Sequence, residues 1–215
     1  MTPLYLDNHL LVLDKPWGLL TQPSGTDEDS LEARGKAFLK AQFNKPGAVF
    51  LEAIHRIDRV VGGVVLFART SKSLERLNAA QRGKGIGKTY RALVEGIPKR
   101  PEATLEDFIL HDDFKARIVS RGVEDAKPCR LSYKTLETRN GTALLEIHLE
   151  TGRYHQIRAQ LSHAGMPICG DLKYGASRDS LSQAPAGGIA LISWQLVFPH
   201  PVTKEPVTVQ SNLSL

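Results

Sequence analysis

The dipeptide Asn140-Gly141 constrains this chain more than any other pair of residues. A two-residue loop between strands needs left-handed backbone at both positions, which Asn and Gly tolerate best. Its flanks read as strands, so an antiparallel hairpin is expected there. After the turn, Leu145, Ile147 and Leu149 share one face while Glu146, His148 and Glu150 share the other. That alternation describes a sheet with one face buried.

The same pattern recurs along the chain. Segments 4–6 and 10–13 form a second hairpin across Asp7-Asn8-His9. Strands are further expected at 49–54, 89–95, 189–198 and 207–210, with several short antiparallel strands within 105–138. The run 64–68 is apolar throughout, so it predicts a strand buried on both faces. Three helices interrupt the strands. One runs from a cap at Asp29 or Ser30 to about Phe43. One starts at Thr70 or Ser71, with Leu74 and Leu77 inward, and ends before Arg82-Gly83. One spans about 155–164, with Ile157, Leu161 and Ala164 buried and Gly165 closing it. The fold class expected is α+β, with a mixed, mostly antiparallel sheet flanked by helices and loops.

A chain of 215 residues suits one compact domain over 1–215, and at this length burial is about 70% of the unfolded surface, so no staple is needed. No apolar run reaches the ~18 residues of a membrane span. The N-terminus has no basic leader segment. Cys129 and Cys169 fit no zinc or redox spacing. A cytoplasmic, reduced protein without a membrane span or structural metal is therefore expected; a monomer with no organic cofactor is the accompanying expectation. Net charge is +5. Segment 69–100 carries nine Lys/Arg against Glu75 and Glu95, so one segment holds the whole excess. A phosphate-facing patch has this form, and so does a solvated surface.

Gly83-Lys84-Gly85-Ile86-Gly87-Lys88-Thr89 looks like a phosphate loop, but its spacing is one residue short and a strand follows where a helix is required. A flexible basic loop that grips a nucleic-acid backbone fits better. His55, Asp58 and His155 have no recognised metal-ligand spacing.

The remaining stretch is His55-Arg56-Ile57-Asp58-Arg59-Val60-Val61-Gly62-Gly63. Asp58 between two arginines reads equally as a local ion pair or as a site. In an extended segment, Arg56, two residues before Asp58, and Arg59, one after it, point to opposite faces, so both arginines cannot easily serve it. Arg153, in Thr151-Gly152-Arg153 before a helix N-terminus, is the alternative partner. A guanidinium there favours the carboxylate form that a nucleophile requires.

Four ordered motifs resemble the RluA family of pseudouridine synthases. They are Leu13-Asp14-Lys15-Pro16-Trp17-Gly18-Leu19, His55-Arg56-Ile57-Asp58-Arg59, Lys88-Thr89-Tyr90-Arg91-Ala92-Leu93-Val94-Glu95-Gly96 and Thr151-Gly152-Arg153-Tyr154-His155-Gln156-Ile157-Arg158. The resemblance implies isomerisation of uridine to pseudouridine in ribosomal or transfer RNA. It implies Asp58 as nucleophile on ribose C1′ or the uracil ring, or as a base on the sugar. Tyr90 would stack on the flipped uracil, and Arg153 would pair with Asp58. Arg56 would hold the RNA around the flipped base, and Ile57 would line the pocket. Lys15, Arg82 and Lys84 would meet phosphates. It also implies a catalytic domain without an S4-type RNA-binding domain. Two departures stand out: Val61-Gly62 replaces the family's usual Thr-Ser, and Leu191-Ile192-Ser193-Trp194 replaces an LHA-like segment. The lost hydroxyls leave a non-catalytic RNA-binding or ribosome-assembly protein as the competing class.

Overall fold

The computed structural model describes residues 1–25 and 28–215. In chain order the elements are β1 (Tyr5–Leu6), β2 (Leu10–Lys15), α1 (Leu31–Gln42), β3 (Glu52–Ala53), β4 (Gly62–Ala68), α2 (Ser71–Arg82), β5 (Gly87–Glu95), β6 (Glu102–Asp112), β7 (Lys115–Val119), β8 (Lys127–Arg139), β9 (Thr142–Leu149), α3 (Gln156–His163), β10 (Leu191–Pro199) and β11 (Pro206–Gln210). Two 3-10 turns, Leu172–Tyr174 and Asp179–Gln183, precede β10. The class is α+β, as expected. The chain divides into two compact units: Met1–Gly87 with Ser193–Ser214, and Lys88–Ile192 with Leu215.

In the first unit, β2 pairs antiparallel with β1 and β4, β3 with β4, and β10 with β11. The β2–β4 register sets Leu11 opposite Phe67 and Leu13 opposite Val65. The alternate residues Leu10, Val12, Val64, Leu66 and Ala68 pack with Leu77 of α2 and with Leu196, Phe198 and Val209. The other face meets α1 at Gly35. A Cβ there would lie 2.7 Å from Leu51 and 3.4 and 3.5 Å from Leu11 and Leu13. Helices therefore pack on both faces of the sheet that β2 and β4 form, and all seven residues of β4 are buried. This is why the strand reads as an unbroken apolar run. Each fully buried Leu or Phe contributes roughly 2 kcal/mol. The helix starts are fixed by side chains: Ser30 accepts from the Ala33 N–H at 3.2 Å, and Thr70 from the Ser73 N–H at 3.1 Å. Each such cap is worth about 1 kcal/mol. The strand expected over 49–54 contracts to two residues, Glu52–Ala53.

In the second unit the strand order is β5-β9-β8-β6-β7, antiparallel throughout. The β8–β9 turn has φ 51° at Asn140 and 77° at Gly141, the geometry its sequence demands. The region expected to hold several short strands instead holds two long ones, β6 and β8, and the short β7. A register shift between Thr135 and Glu137 breaks the alternation of β8 and disguises its length. Helix α3 is not a one-sided amphipathic helix. Gln156, Arg158 and Gln160 are as buried as Ile157, Ala159 and Leu161. Each polar group has partners: Gln160 donates to the Leu105 carbonyl and Asp107, and Arg158 forms a two-pronged pair with Asp171 at 2.7 and 2.8 Å. No helix among the described residues is long and apolar enough to cross a membrane.

Candidate active site

Asp58 lies in a turn between β3 and β4, its carbonyl accepting from the Val61 N–H at 2.9 Å. Its side chain is half-buried. The turn is clamped by segment 15–21. Lys15 is fully buried, and its ammonium donates to the carbonyls of Pro16, Leu19 and Arg59 at 3.1, 2.7 and 3.1 Å. The Gly18 N–H donates to the Arg59 carbonyl at 2.9 Å, and Arg59 Nε donates back to the Gly18 carbonyl at 2.9 Å. Thr21 Oγ1 donates to the Ile57 carbonyl at 2.9 Å and accepts its N–H at 3.3 Å. Hydrogen bonds between the two loops thus fix the backbone on both sides of Asp58.

This corrects the expectation for Lys15. All three of its protons are spent on backbone carbonyls inside the fold, so it cannot meet a phosphate. Burial lowers its pKa to about 8, opposed by the nearby Asp58 charge and reinforced by Arg59. A positive charge reads as surface in a sequence, and only the loop that folds over it reveals the buried role.

The two arginines beside Asp58 have different fates. Arg59 turns to Glu28, at 2.6 Å. Arg56 is exposed, and no hydrogen bond or ion pair engages it among the described residues. Ile57 is buried at 7% exposure. His55 is buried as well, its Nε2 accepting from the Leu66 N–H at 3.3 Å, which is a structural use of the ring. Behind the turn, Gly62 faces Trp17: a Cβ at 62 would lie 2.8 Å from the indole. The indole occupies the space into which a serine side chain would project. Gly63 has φ 111°, and a Cβ there would lie 2.3 Å from the Ser193 carbonyl oxygen.

Arg82 and Lys84 are exposed at the end of α2, Lys84 in left-handed backbone with φ 57°. The basic segment is thinner at the surface than its count suggests. Arg69 donates to the Asp7 carbonyl, Arg76 to the Pro201 carbonyl at 2.8 Å, and Arg91 lies 3.7 Å from Glu146.

In the second unit Tyr90 sits on β5 opposite Ile147 of β9, at 7% exposure. Arg153 lies in the exposed turn before α3. Gln156 Oε1 accepts from the Arg153 N–H at 3.0 Å and from Thr151 Oγ1 at 2.8 Å, which fixes that turn. The Arg153 Nε donates to the Pro128 carbonyl at 3.3 Å. His155 caps α3 with both ring nitrogens bonded, to Tyr174 at 2.9 Å and Arg158 at 3.0 Å. Burial, with Arg158 and Lys173 nearby, lowers its pKa to about 3, so the ring is neutral. Both thiols are buried, which raises Cys129 and Cys169 to about 11. The sequence does not single out Asp171, Tyr174 or Trp17 for the roles they take. Only the buried Arg158 partner could have pointed to the first.

The sequence model of the RNA pseudouridylate synthase family matches residues 9–163, and the chain belongs to that family. It is 33% identical over 213 residues to a protein of Vibrio vulnificus named ribosomal large subunit pseudouridine synthase C, covering 98% of this chain and 65% of that one. It is 34% identical over 217 residues to the protein of that name from Escherichia coli strain K12, covering 98% and 66%. A Chloroflexus aurantiacus protein named uncharacterized RNA pseudouridine synthase is 36% identical over 173 residues, covering 78% and 52%. The chain thus spans between about half and two thirds of the length of these relatives. The solved human RNA Pseudouridylate Synthase Domain Containing 4 superposes with TM-score 0.81 at 23% identity, covering 99% of this chain and 88% of that one. The fold is that of the family.

Proposed function

We propose that this protein is an RNA pseudouridine synthase acting on ribosomal RNA, with Asp58 as its catalytic carboxylate. The observation that carries the reading is the clamp around Asp58. A half-buried carboxylate sits on a turn held by Lys15, Thr21 and Arg59, and the preceding arginine, Arg56, is exposed. Fixing one acid so firmly, with a cation beside it, suits chemistry that depends on positioning. The names of the bacterial relatives support ribosomal RNA over transfer RNA.

The reaction breaks the bond from ribose C1′ to uracil N1 and forms one to C5. The C5 proton is lost, N1 gains one, and no redox equivalent is needed. The base must leave its stack at a cost of a few kcal/mol. Asp58 acts on the sugar or the ring, Tyr90 stacks on the uracil, and Arg153 pairs with Asp58; the ordered motifs support these roles. Ile57 lines the pocket, Arg56 holds the RNA around the flipped base, and Arg82 and Lys84 meet phosphates. The protein acts as a monomer in the cytoplasm, as one catalytic domain. The missing hydroxyls at Val61-Gly62 favour the non-catalytic alternative. Trp17 closing over Gly62 weighs against it, because the turn stays packed.

The test is to incubate the purified protein with large-subunit ribosomal RNA transcript and with transfer RNA, then map pseudouridines. New pseudouridine in the ribosomal transcript is expected. Modification of transfer RNA alone would overturn the substrate, and modification of neither would overturn the activity.

A further inference from the structure

Strand β9 leaves β8 at Leu149, opposite Leu131. Beyond that point the edge of β8 is paired by side chains. Thr151 Oγ1 accepts from the Arg130 N–H at 2.8 Å, and Gln156 Nε2 donates to the Arg130 carbonyl at 3.2 Å. Two residues earlier, on the same edge, the Pro128 carbonyl accepts from Arg153 Nε at 3.3 Å. Gln156 is the joint of this arrangement. It is 2% exposed, and its amide fills all its hydrogen-bonding positions, two at the oxygen and two at the nitrogen. Oε1 accepts from the Arg153 N–H at 3.0 Å and from Thr151 Oγ1 at 2.8 Å. Nε2 donates to the Arg130 carbonyl and, at 2.9 Å, to Gln160 Oε1. Gln160 in turn donates to the Leu105 carbonyl and to Asp107, both on β6.

Only one orientation of that amide fits. Flipped, its NH2 would face the Arg153 N–H, donor against donor. One buried side chain thus ties the turn before α3 to β8 and, through Gln160, to β6. Arg153 sits between two anchors, its N–H held by Gln156 and its Nε by Pro128. Among the described residues no hydrogen bond or ion pair engages its terminal nitrogens. A planar guanidinium held at Nε and open at its far end suits a carboxylate, whose two oxygens match such a fork.

We infer that Gln156 is a positioning residue for the reaction: it sets the Arg153 guanidinium for the proposed pair with Asp58, and acts through Arg153 and not on the RNA. This rests on the proposed function and deepens it. The rate of pseudouridine formation is read under single-turnover conditions on large-subunit ribosomal RNA transcript, with full-length protein, below each variant's thermal midpoint. Gln156→Met keeps the length of the side chain and removes all its hydrogen bonds. The rate should fall roughly 10- to 100-fold, the scale of a misplaced reacting group, while RNA affinity is unchanged. Arg153→Lys keeps the charge without the planar fork. In that background Gln156→Met should cost no more than about twofold further, because the group it places is already gone. Thr151→Val removes one bond to Oε1; its loss should be smaller with the same dependence on Arg153, and it carries the test if Gln156→Met does not fold. Equal losses in both backgrounds would make Gln156 a general support of the fold and overturn the inference. A loss of RNA affinity that accounts for the lost rate would overturn it too. If Arg153→Lys works at the wild-type rate, the role of Arg153 falls and the inference with it. If wild type is active and Gln156→Met keeps the full rate, only the inference falls; if wild type forms no pseudouridine, the functional reading itself falls.

Discussion

Lys15 shows how one residue links the fold to the chemistry. Its ammonium has three protons for three carbonyls, and one of those carbonyls belongs to Arg59, next to Asp58. A neutral amine has only two. With its pKa lowered to about 8, Lys15 loses its proton well before an exposed lysine would. Activity is therefore expected to fall as pH rises through about 8, because one strut of the clamp and the charge near Asp58 are lost together. Stability should move the other way. Between about 8 and 10.5 the unfolded chain holds a proton that the folded chain has released, so this group makes the fold more stable as pH rises. A pH–rate profile beside a pH series of thermal midpoints reads both. Activity that stays flat to about pH 9.5, where the lowered group is mostly neutral, would mean that the Lys15 charge does not support the chemistry at Asp58. None of this is visible in the sequence, where a lysine next to a proline and a glycine-containing turn reads as a surface cation. Asp58 is different: the ordered residues around it mark it in the sequence alone.

Among the elements, β4 depends most on one residue. Gly63 combines φ 111° with a backbone oxygen 2.3 Å from where a Cβ would go. Gly63→Ala should therefore destabilise the protein by about 3 kcal/mol or more, since neither strain nor clash can relax into a side chain. Gly35→Ala should cost less, because its nearest neighbour is the flexible end of Leu51. Denaturant melts of the two variants give the comparison, and equal losses would contradict it. Local chemistry makes many elements legible: Asn140-Gly141 for its turn, Ser30 and Thr70 for the helix starts, and the apolar run for β4. Where tertiary context overrides pattern, the sequence misleads. The irregularity near Leu136 hides a 13-residue strand. The polar residues of α3 read as solvent-facing because their buried partners are far away in sequence.

At the scale of the whole molecule, charge and site are legible to different degrees. Counting residues finds the basic segment, but it cannot tell Arg69, Arg76 and Arg91, engaged within the fold, from Arg82 and Lys84, which face solvent. Lys84→Ala should weaken binding to ribosomal RNA transcript and reduce the salt slope by about one contact, leaving the choice of uridine unchanged. A shifted modification site would mean that Lys84 reads more than phosphate. Pseudouridine formation by Asp58→Asn tests the role of that carboxylate most directly. Alongside wild type, on the same large-subunit ribosomal RNA, the variant should form no pseudouridine while retaining its thermal midpoint and its RNA affinity. Pseudouridine formation at the wild-type rate would mean that Asp58 is not the catalytic carboxylate.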